Sequence, residues 1–257
     1  MRNVYSIFRK EMGHYFVSPV AYVIIGLFLA VSALFFTVAL AGFMQYSLEA
    51  SFQGMTDLDV PGRVLQSFFG ITSTLFLFFL PMLTMGVYSE ERKRGTMELL
   101  MTSPISDLQL VLGKFFASLA LVVVMLIPTT LYSVFMFLYS EPRPPWKMLL
   151  AGYIGLLLLG GALLAIGSLL SSLTENQLIA AVFTFVLLLV LWVIDSLVRN
   201  GTGVAAEAIR YLSLTRHYDE FTRGIIDTTG VIYYLSLIGF STFLTVRALD
   251  AMRWRRA

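Results

Sequence analysis

The residues best suited to chemistry in this sequence are acids and bases crowded into positions 89–107, where seven of nineteen residues are charged. Charge is otherwise scarce, since only 13% of the 257 residues are Asp, Glu, Lys or Arg. Such a cluster could form charge pairs with a partner protein. An ordinary solvated loop at a membrane surface would carry a similar composition. Spacing alone leaves both interpretations open.

Local signals predict a short helix inside this charged segment. Gly95 can end a preceding helix, and Thr96 is a suitable N-cap for the next one. Glu98 would lie in its first turn, where the helix dipole favours an acid, and Pro104 would stop it. Ser106 then opens a capping box for the following helix. The apolar side of the short helix would comprise Met97, Leu99, Leu100 and Met101. Such a rigid helix would suit docking on a partner.

Other chemically capable residues are few. The chain has no cysteine, which excludes disulfides and thiolate metal sites. Its two histidines, His14 and His217, lie far apart in sequence, so a histidine zinc site is not expected. Asp195 is expected to pair with Arg199 on one helix face. No G-x-x-x-x-G-K-[ST] phosphate loop and no G-x-S-x-G motif occurs, so the chain is not expected to be an enzyme or to hold a cofactor.

The elements that must position the charged segment are strongly apolar. Hydrophobic residues make up 58% of the chain, and the mean hydropathy is +0.80. Six windows of at least 19 residues contain no Asp, Glu, Lys or Arg, and about 20 apolar residues suffice to cross a bilayer as a helix. The predicted spans are residues 20–42, 68–88, 110–138, 148–170, 177–197 and 231–249.

The predicted fold is an all-α integral membrane protein in which residues 1–257 form one transmembrane domain. Residues 1–18 should form an interfacial helix, the alternative being a frayed tail. Residues 89–107 connect spans 2 and 3, and residues 198–230 form an outer loop with short helices. Eleven Lys and Arg fall on the side of both termini and seven on the other. The positive-inside rule therefore predicts cytoplasmic termini.

Small residues along span 4 predict close packing against neighbouring helices. Small side chains let helix backbones approach where lipid supplies no hydrophobic drive between helices. The predicted packing residues are Gly160, Gly161, Ala165, Gly167 and Ser171.

Three stretches of the chain resemble a known family. EERKRGTMELLMTSPISDLQLVLGKFFASLALV closely resembles the coupling segment of ABC-2 type permeases, the membrane subunits of ATP-driven exporters. Residues 10–29 resemble the elbow helix and first span of the gliding-motility-type branch, and residues 212–237 its last outer loop and sixth span. The family's E-x-x-G-T-x-E-L-L pattern is matched from Gly95 to Leu100, and Glu91 stands one position away from the pattern's first acid.

The resemblance implies an assembly of several subunits. Two six-span subunits would pair, either two copies or one copy with a related permease, and each would bind a separate ABC ATPase. ATP and Mg²⁺ would be held by that ATPase, and an accessory extracytoplasmic protein fits the same assembly. Residues 171–177 would form a second, smaller ATPase contact. The residues implied in ATPase coupling are Glu90, Glu91, Arg92, Arg94, Gly95, Thr96, Glu98, Leu99, Leu100 and Pro104.

The sequence thus predicts a permease subunit in the bacterial cytoplasmic membrane, surrounded by lipid and driven by ATP hydrolysis in a separate subunit. The substrate is not identified by any motif. A secondary transporter is one alternative, although the halves show no repeat and most spans lack ionisable residues. A non-transporting assembly factor is the other alternative. A net charge of +2 gives no reason to expect nucleic acid.

Overall fold

A computed structural model describes residues 2–52, 59–97, 105–141, 143–198 and 203–254. Within these ranges the chain forms ten helices and no strand. The helices are α1 (Arg2–Val17), α2 (Pro19–Phe52), α3 (Val60–Thr84), α4 (Ser89–Lys93), α5 (Asp107–Tyr139), α6 (Trp146–Leu173), α7 (Gln177–Leu197), α8 (Val204–Tyr211), α9 (Leu214–Thr222) and α10 (Thr228–Trp254). Six of the described helices, α2, α3, α5, α6, α7 and α10, are long and apolar enough to cross a membrane. The predicted all-α membrane fold is confirmed.

Side-chain caps fix where several of these helices begin. Asp59 accepts a hydrogen bond from the Gly62 backbone N–H at 2.9 Å at the start of α3. Ser106 and Gln109 form the predicted capping box of α5, with the Gln109 N–H donating to Ser106 Oγ at 3.3 Å. Asn176 caps α7 by accepting from two backbone N–H groups. Each cap satisfies donors that a helix start leaves unpaired.

Helices α2 and α3 are longer than the spans predicted from the charge-free windows. Span 1 was placed at residues 20–42, whereas α2 runs from Pro19 to Phe52. Span 2 was placed at residues 68–88, whereas α3 runs from Val60 to Thr84 and is followed by a turn. Charge scarcity marks the part of a helix that tolerates lipid, but backbone hydrogen bonding continues where the side chains become polar.

Helix α6 lies at the centre of the bundle and packs against α3, α5, α7, α9 and α10. All five small residues predicted to support packing are buried in it. A Cβ on Gly160 would lie 3.2 Å from the Phe76 ring, and one on Gly161 would lie 3.1 Å from Ile238. Small residues at these two positions therefore let α3 and α10 approach α6 closely.

Helix α9 packs into the bundle against α3, α6, α7 and α10. Tyr218 and Phe221 are buried, and the Tyr218 hydroxyl donates to the Phe69 carbonyl at 3.4 Å. Burial raises the pKa of Tyr218 well above its usual value, so the hydroxyl remains a donor. His217 is half-buried, and its ring stacks on Tyr233 with 3.9 Å between centroids. Helix α9 thus fills its end of the bundle with aromatic rings.

Candidate functional site

Helix α3 ends at Thr84 at one end of the bundle, and a turn of four residues then leads into the charged segment, which begins with the short helix α4. Helix α4 ends at Lys93, and Gly95 follows with φ +70°. This left-handed conformation is the one that glycine adopts at little cost, which confirms the predicted helix break at Gly95. The Thr96 hydroxyl donates to the Glu91 carbonyl at 3.3 Å.

Ser171 of α6 holds the turn between α3 and α4. Its Oγ accepts from the Tyr88 backbone N–H at 3.1 Å and from the Ser89 N–H at 3.2 Å. The same hydroxyl donates to the Met85 carbonyl at 2.9 Å. One side chain therefore binds two N–H groups at the start of α4 and one carbonyl just after the end of α3. Ser171 also has the small size that was predicted to allow packing.

Arg92 attaches α4 to the connection between α6 and α7. Its Nη1 donates to the Ser172 carbonyl at 2.7 Å, and its Nη2 lies 3.2 Å from Glu175 Oε1. The Arg92 side chain is 19% exposed, whereas that of Glu175 is 59% exposed. Arg92 therefore points back into the protein and joins the two connections that were predicted to contact a partner.

Glu91 also points inward, toward a buried lysine of α5. Lys114 is 3% exposed, and its Nζ lies 3.0 Å from Glu91 Oε1 and 3.2 Å from Glu11 Oε1 of α1. Its third hydrogen bond goes to the Val87 carbonyl at 2.9 Å. An ammonium has three donors, and each has an acceptor here. The Tyr88 ring adds a cation–π contact, with 5.4 Å between Nζ and the ring centroid.

Lys114 and Glu11 are residues that the sequence interpretation missed. The sequence interpretation counted Lys114 only among the eleven Lys and Arg on the side of both termini, although it lies two turns inside the helix that carries span 3. A charged side chain this far inside a membrane helix needs a partner, so the position of Lys114 in the sequence could have indicated an ion pair. The identity of the partners could not be read from the sequence, because Glu11 is 103 residues away.

Glu90 and Arg94 lie on the outward side of α4. Arg94 Nη2 lies 2.5 Å from Glu90 Oε1, and the two side chains are 65% and 30% exposed, respectively. Lys93, Gly95 and Thr96 are also exposed. The structure therefore divides the predicted coupling residues into an outward group and two inward anchors.

Some predictions concern residues outside the described ranges. Glu98, Leu99, Leu100 and Pro104 belong to this group, as does Arg199, the expected partner of Asp195. The assignments of these residues therefore stay predictions. Among the residues that the structure does describe, no group of three or more His, Asp or Glu side chains is arranged to hold a metal ion.

Comparison with known protein families gives one match. A family model described as "ABC-2 family transporter protein" matches residues 5–249, which is nearly the whole chain. No curated protein matches the sequence. The family match does not extend to the gliding-motility-type branch, so that finer assignment stays a prediction.

Proposed function

Because this chain belongs to the ABC-2 family of transporter proteins, we propose that its charged segment receives the motion of a separate ABC ATPase. The family establishes a multi-pass membrane permease of an ABC transporter, which works with an ATPase partner. We assign docking to the outward side of α4, and we place α4 and both termini on the cytoplasmic side of the bacterial inner membrane. ATP and Mg²⁺ would then be bound by the ATPase.

The observation that carries this proposal is the division of charge on α4. Glu90 and Arg94 offer one acid and one base to the surroundings, while Glu91 and Arg92 attach the same helix to α5 and α6. A docking element needs both properties: exposed charges select a partner, and firm anchors transmit displacement. An ordinary solvated loop would have no reason to turn two of its charged side chains inward and bond them to the bundle.

The rest of the contact follows from the family resemblance. Glu98, Leu99, Leu100 and Pro104 would continue the docking surface, with the two leucines filling a groove of the ATPase. Glu175, in the connection between α6 and α7, would contribute the smaller second contact, and its side chain is 59% exposed. Two permease subunits and two ATPases would complete the transporter. The transported substrate is not indicated by any side-chain cluster described above.

The buried charge does not favour a secondary transporter. Ion-coupled transporters place ionisable groups near the middle of the membrane. Lys114 is seven residues from the start of α5, or about 10 Å at the rise of an α-helix, in a helix of 33 residues. Lys114 therefore lies near the end of span 3 that faces α4, and not near the middle of that span.

A double charge exchange tests the docking surface. Glu90→Lys with Arg94→Glu keeps an internal ion pair but reverses the pattern presented to a partner. We expect the variant to reach the membrane at normal levels and to lose copurification with the ATPase. Disturbing interface charges of this kind costs roughly 2–5 kcal/mol of binding free energy.

The matched control is the exchange Arg247→Glu with Asp250→Lys. This second exposed pair lies near the end of α10, with 3.8 Å between Arg247 Nη1 and Asp250 Oδ2. We expect the control to retain the ATPase. If the α4 exchange also retains the ATPase and its stimulated hydrolysis at wild-type levels, α4 is not the docking element.

A further inference from the structure

Glu11, Glu91 and Lys114 form an ionic cluster, here named the Lys114 clamp, that joins helices α1, α4 and α5; Lys114 is buried, and the two glutamates are 12% and 17% exposed. We propose that this clamp passes the displacement of α4 to α1 and to span 3, with Lys114 as the positioning residue. The inference rests on the proposed function, because it assumes that α4 is the part that an ATPase displaces.

The geometry of the clamp suits transmission because its contacts are directional. The three Lys114 donors go to Glu11, Glu91 and the Val87 carbonyl, at 2.9 to 3.2 Å. Any shift of α4 relative to α5 must lengthen at least one of these bonds. Weakening a charged hydrogen bond away from water is costly, since no solvent replaces the lost partner.

The apolar contacts around the clamp cannot provide the same stiffness. Ile7, Val87 and Tyr88 belong to a buried cluster that also connects α1 with the start of α4. Contacts of this kind are non-directional, so side chains can slide past one another while staying buried. An ionic cluster is also an expensive way to gain stability, because the desolvation of its charges offsets much of their attraction. A better reason for the presence of the cluster is that it selects one arrangement of α1, α4 and α5.

Helix α1 is well placed to move together with α5. A Cβ on Gly113 would lie 2.7 Å from Ile7, so the two helices are in close contact. Asn3 Nδ2 donates to Gln109 Oε1 at 3.1 Å, and the Tyr15 and Ser118 hydroxyls are 3.1 Å apart. These bonds hold α1 on α5 along its length. Glu91 is what connects α4 to this pair of helices through the clamp.

Helix α4 has a second anchor that bypasses the clamp. Arg92 connects it to the end of α6 through the Ser172 carbonyl and to the connection before α7 through Glu175, and α4 also packs against α7 itself. Removing the clamp therefore leaves one route from α4 into the bundle intact. This arrangement supplies an internal control, because a reporter on α1 should lose its response while a reporter on α7 keeps it.

The experiment uses the complete permease–ATPase complex and a variant with no charge in the clamp. Glu11→Gln, Glu91→Gln and Lys114→Met are combined, so that no carboxylate or ammonium is left buried without a partner. Such replacements of a complete buried ion cluster are commonly tolerated by the fold. None of the three side chains belongs to the outward side of α4, so the ATPase should still copurify.

Spin-label pairs report the movement, and the absence of native cysteine makes their placement simple. One pair joins Lys10→Cys on α1 to Ile225→Cys at the opposite end of the bundle. The other joins Leu178→Cys on α7 to the same reference. All three positions are exposed. Pulsed EPR distances are measured without nucleotide and after trapping with ATP and vanadate.

We expect both distances to shift on trapping in the wild type, and only the Leu178 distance to shift in the triple variant. A Lys10 shift that survives in the triple variant overturns the clamp but leaves α4 docking intact. If only the Leu178 distance shifts in the wild type, the clamp is likewise overturned and α4 docking is left intact. If neither distance shifts in the wild type, the coupling role of α4 fails as well. A merely stabilising clamp would lower the melting temperature without separating the two reporters.

Discussion

Gly167 of α6 lies directly against Thr84, the last residue of α3, and a Cβ added to Gly167 would come within 2.2 Å of Thr84 Oγ1. The Thr84 hydroxyl is itself committed, because it donates to the Leu80 carbonyl at 3.0 Å. The contact therefore fixes where α3 ends relative to the central helix. The turn that leads into α4 starts at the next residue.

Gly167→Ala should consequently destabilise the bundle. Thr84 cannot turn away without giving up its hydrogen bond, so α3 and α6 must separate slightly. Overpacking of this kind costs about 1–3 kcal/mol of unfolding free energy. Thermal unfolding in detergent measures the effect. Gly239→Ala in α10 is the control, because nothing lies within 4 Å of its added Cβ. Equal melting temperatures for both variants would contradict the assigned contact.

Ser171→Ala should loosen the turn before α4. The Tyr88 and Ser89 backbone N–H groups would lose their shared acceptor, at about 1–3 kcal/mol for a buried group left unpaired. Hydrogen exchange at these amides should accelerate, and stimulated ATP hydrolysis should fall. Ser168→Ala, one turn earlier, is the control because Ser168 Oγ is buried without a hydrogen-bond partner among the described residues. The idea fails if both variants exchange at the wild-type rate.

Lys114→Met alone should be far more damaging than the triple variant that removes the complete clamp. The single change leaves two buried carboxylates side by side, and breaking a buried pair in this way costs about 3–5 kcal/mol. Membrane-inserted protein and its melting temperature are the measurements. The triple variant should regain most of the loss. Equal stability of the two variants would show that the carboxylates reach water.

Glu91→Lys should also lower stability. Glu91 is 17% exposed and its carboxylate is bonded to Lys114. A second ammonium would meet Lys114 in a site from which water is largely absent. The expected result is reduced membrane-inserted protein, seen by quantitative blotting. Glu90→Lys, on the outward side, should insert normally, and matching yields would refute the inward position of Glu91.

The orientation of the bundle can be tested with single cysteines. Glu207→Cys in α8 should react with an impermeant maleimide in intact cells, and Lys93→Cys at the end of α4 should react only after lysis. Both positions are exposed, so lack of reaction reports sidedness. The prediction rests on the excess of Lys and Arg on the side of α4 and both termini. The opposite pattern of labelling would invert the assigned topology.

Several features were available from the sequence because they depend on local chemistry. Apolar windows long enough to cross a bilayer indicated six spans, and the described residues form six such helices. Gly95 was expected to break a helix, and it adopts a positive φ that other residues avoid. The capping box at Ser106 and Gln109 needs only neighbouring residues and is present. In each case, all the interacting groups lie within one short stretch of chain.

The sequence by itself thus determined the membrane location, the helical class and the position of the charged segment, but it could not say which way each charge points. Successive residues of a helix differ by about 100° in direction, and a helix as short as α4 shows no periodic pattern to fix its inward side. Tertiary contacts make that choice. Lys114 draws Glu91 inward across 23 residues of sequence, and the Ser172 carbonyl does the same for Arg92 across 80. A buried charge must find its partner in space, so only the assembled bundle separates the anchors of α4 from its exposed face.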